Sequence, residues 1–293
     1  MSWIPDSERE PTEATLPSPP ENTNLDTVPE GAFHPAAIEH AGELPVSEEF
    51  FPPWSGWDVT AVLGFTVATV FVFSMLALGV AHLMTSKRHV PVSELATNPL
   101  VVIGSQIVAY PVVIFFMIVV VRGKSREGFR EAIRWNWPGQ WAAGFVASGM
   151  AFALAVEFVS RYLPIPKSLP IDKYFSEVTG AYLMALFGVT LAPLLEELFF
   201  RGMLYPWVKR VAGTTAAVLL TATTFAFIHG AQLGYAWAPL LSIFVVGVAF
   251  TLVREYSGSV AASFLVHCGY NLTLFGLLWF GSDGFRHLEK VTN

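Results

Sequence analysis

"LLEELFFRGMLYP", residues 194–206, sets two adjacent carboxylates, Glu196 and Glu197, and a guanidinium, Arg201, into a run otherwise as apolar as a lipid-spanning helix. Whether those charges lie inside a bilayer decides the fold. Ionisable side chains in spanning segments are costly, rare and mark functional sites by default, so the surroundings of the stretch are the first test.

The composition answers for lipid. Of 293 residues, 53% are hydrophobic and 14% charged, with 24 Phe and 9 Trp, whereas a soluble domain averages about 25% charged residues. The chain reads as an integral membrane protein. Its net charge of −6 is unevenly spread: residues 1–57 carry eleven Asp and Glu against one Arg, a net −10, which leaves +4 for residues 58–293. Residues 1–57 also hold 10 of the 20 Pro. Such a segment buries too little apolar surface to offset its ordering, and it is expected to be a disordered acidic tail. It lacks the basic start, apolar run and cleavage site of a signal peptide. No nucleic-acid partner is expected of a chain with this charge.

About 20 apolar residues cross a bilayer core. By that measure seven spans are expected, at 59–84, 100–121, 141–160, 180–205, 214–232, 237–253 and 259–281. The fold class that follows is all-α, a polytopic transmembrane bundle. Residues 58–179 hold the first three spans and a basic loop, residues 180–282 form a core with the site, and residues 283–293 are a C-terminal tail. Pro193 is expected to kink or break the long fourth span. The loop 122–140 carries Arg122, Lys124, Arg126, Arg130 and Arg134. Basic loops stay cytoplasmic, so the N-terminus is expected inside, in the cell membrane. Phe129, Ala132 and Ile133 follow helical spacing there, as in a short helix lying on anionic headgroups, with a charged linker as the alternative.

The polar residues within the spans concentrate late in the chain. Glu196, Glu197 and Arg201 stand in the fourth, His229 in the fifth, and His267 and Asn271 in the seventh. Residues four apart share a helix face, so Glu197 is expected to pair with Arg201, and His267 with Asn271 to face one way. Glu196 points about 100° away from Glu197, free to meet His229 and His267. Two chemistries are open. Glu196, His229 and His267 form a donor set known for catalytic zinc, or Glu196 acts as general base on a water. Asn271 could orient ligands or donate to an oxyanion. Tyr205, Gln232 and Tyr270 are polar, but nothing in the sequence aims them at the site. Counted from the cytoplasmic ends of their spans, Glu196 lies about nine residues in and His267 about eight, but His229 about fifteen, some 10 Å deeper. The fifth span is therefore expected to be misplaced, tilted or broken.

These residues carry a resemblance. EELFFR (196–201), FAFIH (225–229) and HCGYN (267–271) resemble the EExxxR, FxxxH and HxxxN motifs of the CPBP intramembrane proteases, or ABI family. That family includes the CAAX prenyl endopeptidases and the bacteriocin-processing and immunity proteins. The likeness spans about residues 180–275. It implies a membrane-embedded, metalloendopeptidase-like hydrolase with Glu196, His229, His267 and Asn271 catalytic and Glu197 and Arg201 supporting. Zinc on Glu196, His229 and His267 and a metal-free glutamate mechanism both remain open. The implied substrate is a peptide or protein within membrane lipid, prenylated or not. HExxH, GxSG and GxGD are absent, which sets aside the site-2, rhomboid and presenilin-like chemistries. A non-proteolytic scaffold or immunity protein of the same fold is the alternative; an ion-coupled transporter is a third reading, disfavoured by the lack of an internal repeat.

Overall fold

A computed structural model describes residues 52–288. The acidic tail expected over residues 1–57 lies outside the described residues up to position 51, as does the C-terminal end from residue 289. Residues 52–57, assigned to that tail from the sequence, are built into the body: the Trp54 side chain is fully buried and its Nε1 donates to Met203 O at 3.0 Å.

The helices start where capping chemistry allows. Ser55 and Asp58 form a capping box that opens α1 (Gly56–Thr85), each satisfying a backbone donor that the first turn leaves free. After a one-turn α2 (Val92–Leu95), Asn98 accepts from Leu100 N at 2.9 Å, and Pro99, whose missing N–H costs nothing there, begins α3 (Pro99–Arg122). Then come α4 (Phe129–Ala132), α5 (Ala142–Ser160), α6 (Val178–Val189), α7 (Leu191–Phe199), a π-helical turn at Phe200–Leu204, α8 (Tyr205–Ile228), α9 (Trp237–Ser257) and α10 (Val260–Gly281). No strand occurs among the described residues. Helices satisfy their backbone groups internally, as a bilayer demands.

Six helical stretches are long and apolar enough to cross a membrane, and the fourth of them runs for 51 residues, Val178–Ile228. A straight helix of that length would reach about 77 Å, against about 30 Å of hydrocarbon. It does not run straight. Gly213 has φ 79° and ψ 170°, a conformation open to glycine and strained for other residues. On its two sides the Arg201 guanidinium and the Phe225 ring meet at 4.7 Å, where a continuous helix would hold their backbones about 36 Å apart. The chain therefore folds back at Gly213, which divides this stretch into two arms.

This corrects the expected boundaries of the fourth and fifth spans. The fourth continues past 205 to the turn at Gly213, and the fifth helix stops at Ile228. The cause is the polar pair Lys209 and Arg210, which ends the apolar run without ending the helix. Arg210 Nη2 donates to Trp54 O at 2.9 Å and Lys209 Nζ lies 2.7 Å from Glu255 Oε1. Measured from Gly213, Glu196 and His229 lie almost equally far along the two arms, so the depth conflict between those two disappears.

One end of the bundle gathers the start of α1, the 123–141 loop, the Gly213 turn and the α9–α10 junction. Lys124 Nζ is 3.6 Å from Asp58 Oδ1, Asn136 Nδ2 donates to Gly258 O at 3.3 Å and Val260 N to Arg134 O at 3.0 Å. The other end joins residues 161–177 to 229–236, with Ile171 N donating to Gln232 O at 3.0 Å. The helix expected to lie on headgroups is the single turn α4, and its apolar side faces protein: Ala132 and Ile133 are buried in the core with Phe199, Phe200 and Met203. Lipid is met elsewhere. Only 11% of the apolar window of α1 is buried, which leaves Phe71, Leu76 and Leu83 facing outward. Against α10, by contrast, α5 packs backbone to backbone: a Cβ at Gly149 would stand 2.0 Å from Val266 O, and one at Gly269 2.2 Å from Val146 O.

Candidate active site

The site begins where one helix stops and another starts. Thr190, at φ −120° and ψ −75°, breaks α6 from α7. Pro193 lies three residues on, in the first turn of α7, where its ring would clash with a continuing carbonyl at Val189. The expected kink is thus a full break placed before the proline. The short α7 then delivers both glutamates at its C-terminal end, just ahead of the π-helical turn; such turns are rare and recur at functional sites.

The two neighbours have different fates. Glu197 is fully buried and fully engaged: Arg201 Nη1 donates to its Oε1 at 3.0 Å, Ser263 Oγ to its Oε2 at 2.6 Å, and His267 Nδ1 stands 2.9 Å from Oε1. Arg201, also fully buried, donates through Nη2 to Gly247 O at 3.0 Å and lies over the Phe225 and Phe250 rings. A buried charge pair is tolerable only with such extra hydrogen bonds. Glu196, with 19% of its side chain exposed, faces a cavity instead.

That cavity, of about 370 Å³, is lined by Glu196, His229, His267 and Asn271 among others. Each arrives by a local rule. Ser259, Ser263, His267 and Asn271 recur every fourth residue and so share one face of α10; Ser259 caps the helix by accepting from Ala262 N at 3.1 Å. Asn271 Nδ2 donates to Gly188 O at 2.6 Å, occupying a carbonyl that the end of α6 leaves free. His229 follows the last residue of α8, and its Nδ1 bonds Phe225 O at 2.8 Å, another helix-end carbonyl. In both histidines the Nδ1 partner is a pure acceptor, so Nδ1 carries a proton. His267 Nε2 is 3.8 Å from Glu196 Oε2.

The expected Glu197–Arg201 pair is formed. The separation of the two glutamates is less strict than their 100° offset suggested, because His267 stands between them with one ring nitrogen toward each. Ser263 went unrecognised in the sequence, although its place one turn before His267 was a usable signal. Gln232 and Tyr270, which nothing in the sequence aimed at the site, line the cavity with Gln106 and Tyr110, whose hydroxyl donates to Gln106 Oε1 at 3.2 Å. Tyr205 points elsewhere, donating to Glu255.

Zinc needs converging ligands. Glu196, His229 and His267 are suitable donors, and histidines held through Nδ1 suit metal binding. Yet among the described residues no three His, Cys, Asp or Glu side chains are grouped so as to hold a metal ion. The arrangement does not fit zinc as it stands.

With this geometry in place, comparison gives a likeness over part of the chain. Comparison with curated proteins and with solved structures returns no match. Residues 178–273, from the first residue of α6 to beyond Asn271, match the family described as Type II CAAX prenyl endopeptidase Rce1-like. The matched third of the chain holds Glu196, Glu197, Arg201, His229, His267 and Asn271, the residues through which the sequence resembled the CPBP proteases. The chain is a polytopic helical membrane protein whose residues 178–273 are similar to the Rce1-like endopeptidases.

Proposed function

We propose that the protein is an intramembrane endopeptidase in which Glu196 activates a water for attack on a peptide carbonyl. The observation that carries this reading is the contrast between the neighbouring carboxylates: Glu197 is consumed by Arg201, Ser263 and His267, while Glu196 faces the cavity beside His229, His267 and Asn271. A general base must face the space where a water can stand, and Glu196 lines the cavity.

In this mechanism a water in the cavity gives a proton to a Glu196 carboxylate oxygen as its oxygen bonds the carbonyl carbon. The second N–H of Asn271 Nδ2 is free to donate to the oxyanion that forms. The tetrahedral intermediate collapses, the C–N bond breaks, and Glu196 returns its proton to the departing amine nitrogen. Glu197 holds the His267 ring in place through Nδ1, and the water's second hydrogen donates to the Nε2 lone pair of His267, with His229 lining the cavity beside it. No step passes through a metal. The substrate is a peptide segment, prenylated or not, and the 123–141 loop together with the start of α1 is assigned to the cytoplasmic side of the cell membrane by its basic residues.

Purified Glu196→Gln protein tests this. Loss of a general base costs about 10²–10⁴ in rate, with insertion and thermal stability unchanged, and His229→Ala and His267→Ala also lose hydrolysis. Full activity in Glu196→Gln would remove the base role and leave the non-proteolytic scaffold.

A further inference from the structure

Two polar sectors line the cavity, and the mechanism uses one of them. His267 and Asn271 reach it from α10, Glu196 from α7 and His229 from the end of α8, whereas Gln106 and Tyr110 reach it from α3. Helices α6 and α7 each pack against both α3 and α10 and stand between them, so α3 forms the wall across from His267 and Asn271. Residues 106 and 110 lie one turn apart and share a face of α3. The Tyr110 hydroxyl donates to Gln106 Oε1 at 3.2 Å, and its ring packs on Phe187 with centroids 5.3 Å apart. That bond fixes the sense of the Gln106 amide. Its oxygen is engaged by Tyr110, and its Nε2, which has no partner among the described residues, keeps both N–H groups for what enters the cavity. The other polar groups of the lining are placed differently: Tyr270 packs against Phe152 and Phe250, Tyr174 against the cluster around Phe175, and Gln232 stands in an exposed turn.

A polypeptide brings carbonyl and N–H groups into a space with largely apolar walls, and each group left without a partner there costs binding. In an extended chain successive carbonyls point to opposite edges. The carbonyl attacked in the mechanism above is directed at Asn271 on α10, so the carbonyl of the neighbouring residue is directed at α3. We propose that Gln106 is a main-chain clamp for the substrate, its Nε2 donating to the carbonyl next to the scissile one, and that Tyr110 is the positioning residue that holds the amide in that sense. The clamp reads the backbone and no side chain. It therefore favours extended polypeptide whatever its sequence, and it contributes to binding equally before and during the reaction. The word scissile rests on the endopeptidase reading, but the grip itself needs only a peptide in the cavity.

Binding and turnover are measured separately to test this. Two fluorescein-labelled decapeptides, one rich in alanine and one rich in leucine, are titrated by fluorescence anisotropy against full-length, detergent-solubilised Glu196→Gln protein, with and without Gln106→Met or Tyr110→Phe. Gln106→Met keeps the side-chain length and removes the donors. It is expected to raise Kd about three- to tenfold, the worth of one neutral hydrogen bond, and by the same factor for both peptides. Tyr110→Phe keeps the ring but frees the amide to turn, and a smaller loss of about two- to threefold is expected. Should Gln106→Met melt below its parent, Gln106→Glu, equal in shape and without the donors when ionised, takes its place. With Glu196 restored, the same substitutions are expected to raise KM by those factors and leave kcat within about twofold, the mark of uniform binding. Unchanged Kd in the Gln106 variant overturns the clamp, and so does a loss confined to one peptide, which would mean side-chain recognition. Failure of both peptides to bind at millimolar concentration overturns it as well. Peptides that bind with the expected losses but are not hydrolysed when Glu196 is present would sink the endopeptidase reading alone, whereas hydrolysis with a KM indifferent to Gln106 would sink the clamp alone.

Discussion

Nδ1 of His267 lies 2.9 Å from Oε1 of Glu197, the oxygen that also accepts from Arg201. One carboxylate thus neutralises a buried cation and orients a cavity-facing imidazole. Its two neighbours make the consequences separable.

Glu197→Gln leaves the Arg201 guanidinium buried without a counter-charge, a change that costs about 3–5 kcal/mol. The variant is expected to melt well below wild type in detergent and to lose activity with its fold, whereas Glu196→Gln loses activity alone. Equal melting of the two variants would mean that Glu197 does not anchor the bundle.

Ser263→Ala removes a hydrogen bond to an ionised carboxylate, worth about 1.5–3 kcal/mol, but leaves His267 and Glu196 where they are. Stability is expected to fall more than turnover, and turnover to stay well above that of His267→Ala. Thermal melts and initial rates on one preparation would separate the two effects; a Ser263→Ala protein as inactive as His267→Ala would make the serine part of the chemistry.

Because no three ligand side chains converge among the described residues, active protein is expected to hold far less than one zinc per chain and to survive a chelator. Elemental analysis beside activity checks this. One zinc per active chain, with activity lost on chelation and restored by zinc, would show that the ligands assemble around the metal.

Gly149→Ala introduces a methyl 2.0 Å from Val266 O, so α5 must move off α10. Overpacking of this kind costs about 1–3 kcal/mol, and close backbone approach is how small residues join membrane helices. A lowered melting temperature is expected, with reduced turnover, since Val266 immediately precedes His267. Gly144→Ala, where a Cβ meets nothing within 4 Å, is the control and is expected to be silent.

Much of this was legible in the chain. Six long apolar helical stretches, against seven spans expected, followed from hydropathy, since lipid enforces long apolar helices. The end of the fourth span did not, because Lys209 and Arg210 look like a membrane boundary and only their contacts with Glu255 and the residues before α1 show that the helix continues. Glu196, His229, His267 and Asn271, which line the cavity, stood out as polar groups in apolar spans. Ser263 did not, since a serine in a membrane helix commonly bonds its own backbone; that it reaches Glu197 depends on how α7 and α10 meet. The meeting of His267 with Glu197 was hidden for the same reason.

The π-helical turn at Phe200–Leu204 also has a bearing on phase. Eight positions along an ordinary α-helix amount to about 800°, so Tyr205 would be rotated some 80° from Glu197. The wide turn absorbs roughly one residue and returns Tyr205, 2% exposed, to nearly the same azimuth as Glu197 and Arg201. Helical positions before and after the turn therefore keep two different counts, and a sequence aligned through it without a one-residue offset would assign lipid-facing positions to the interior.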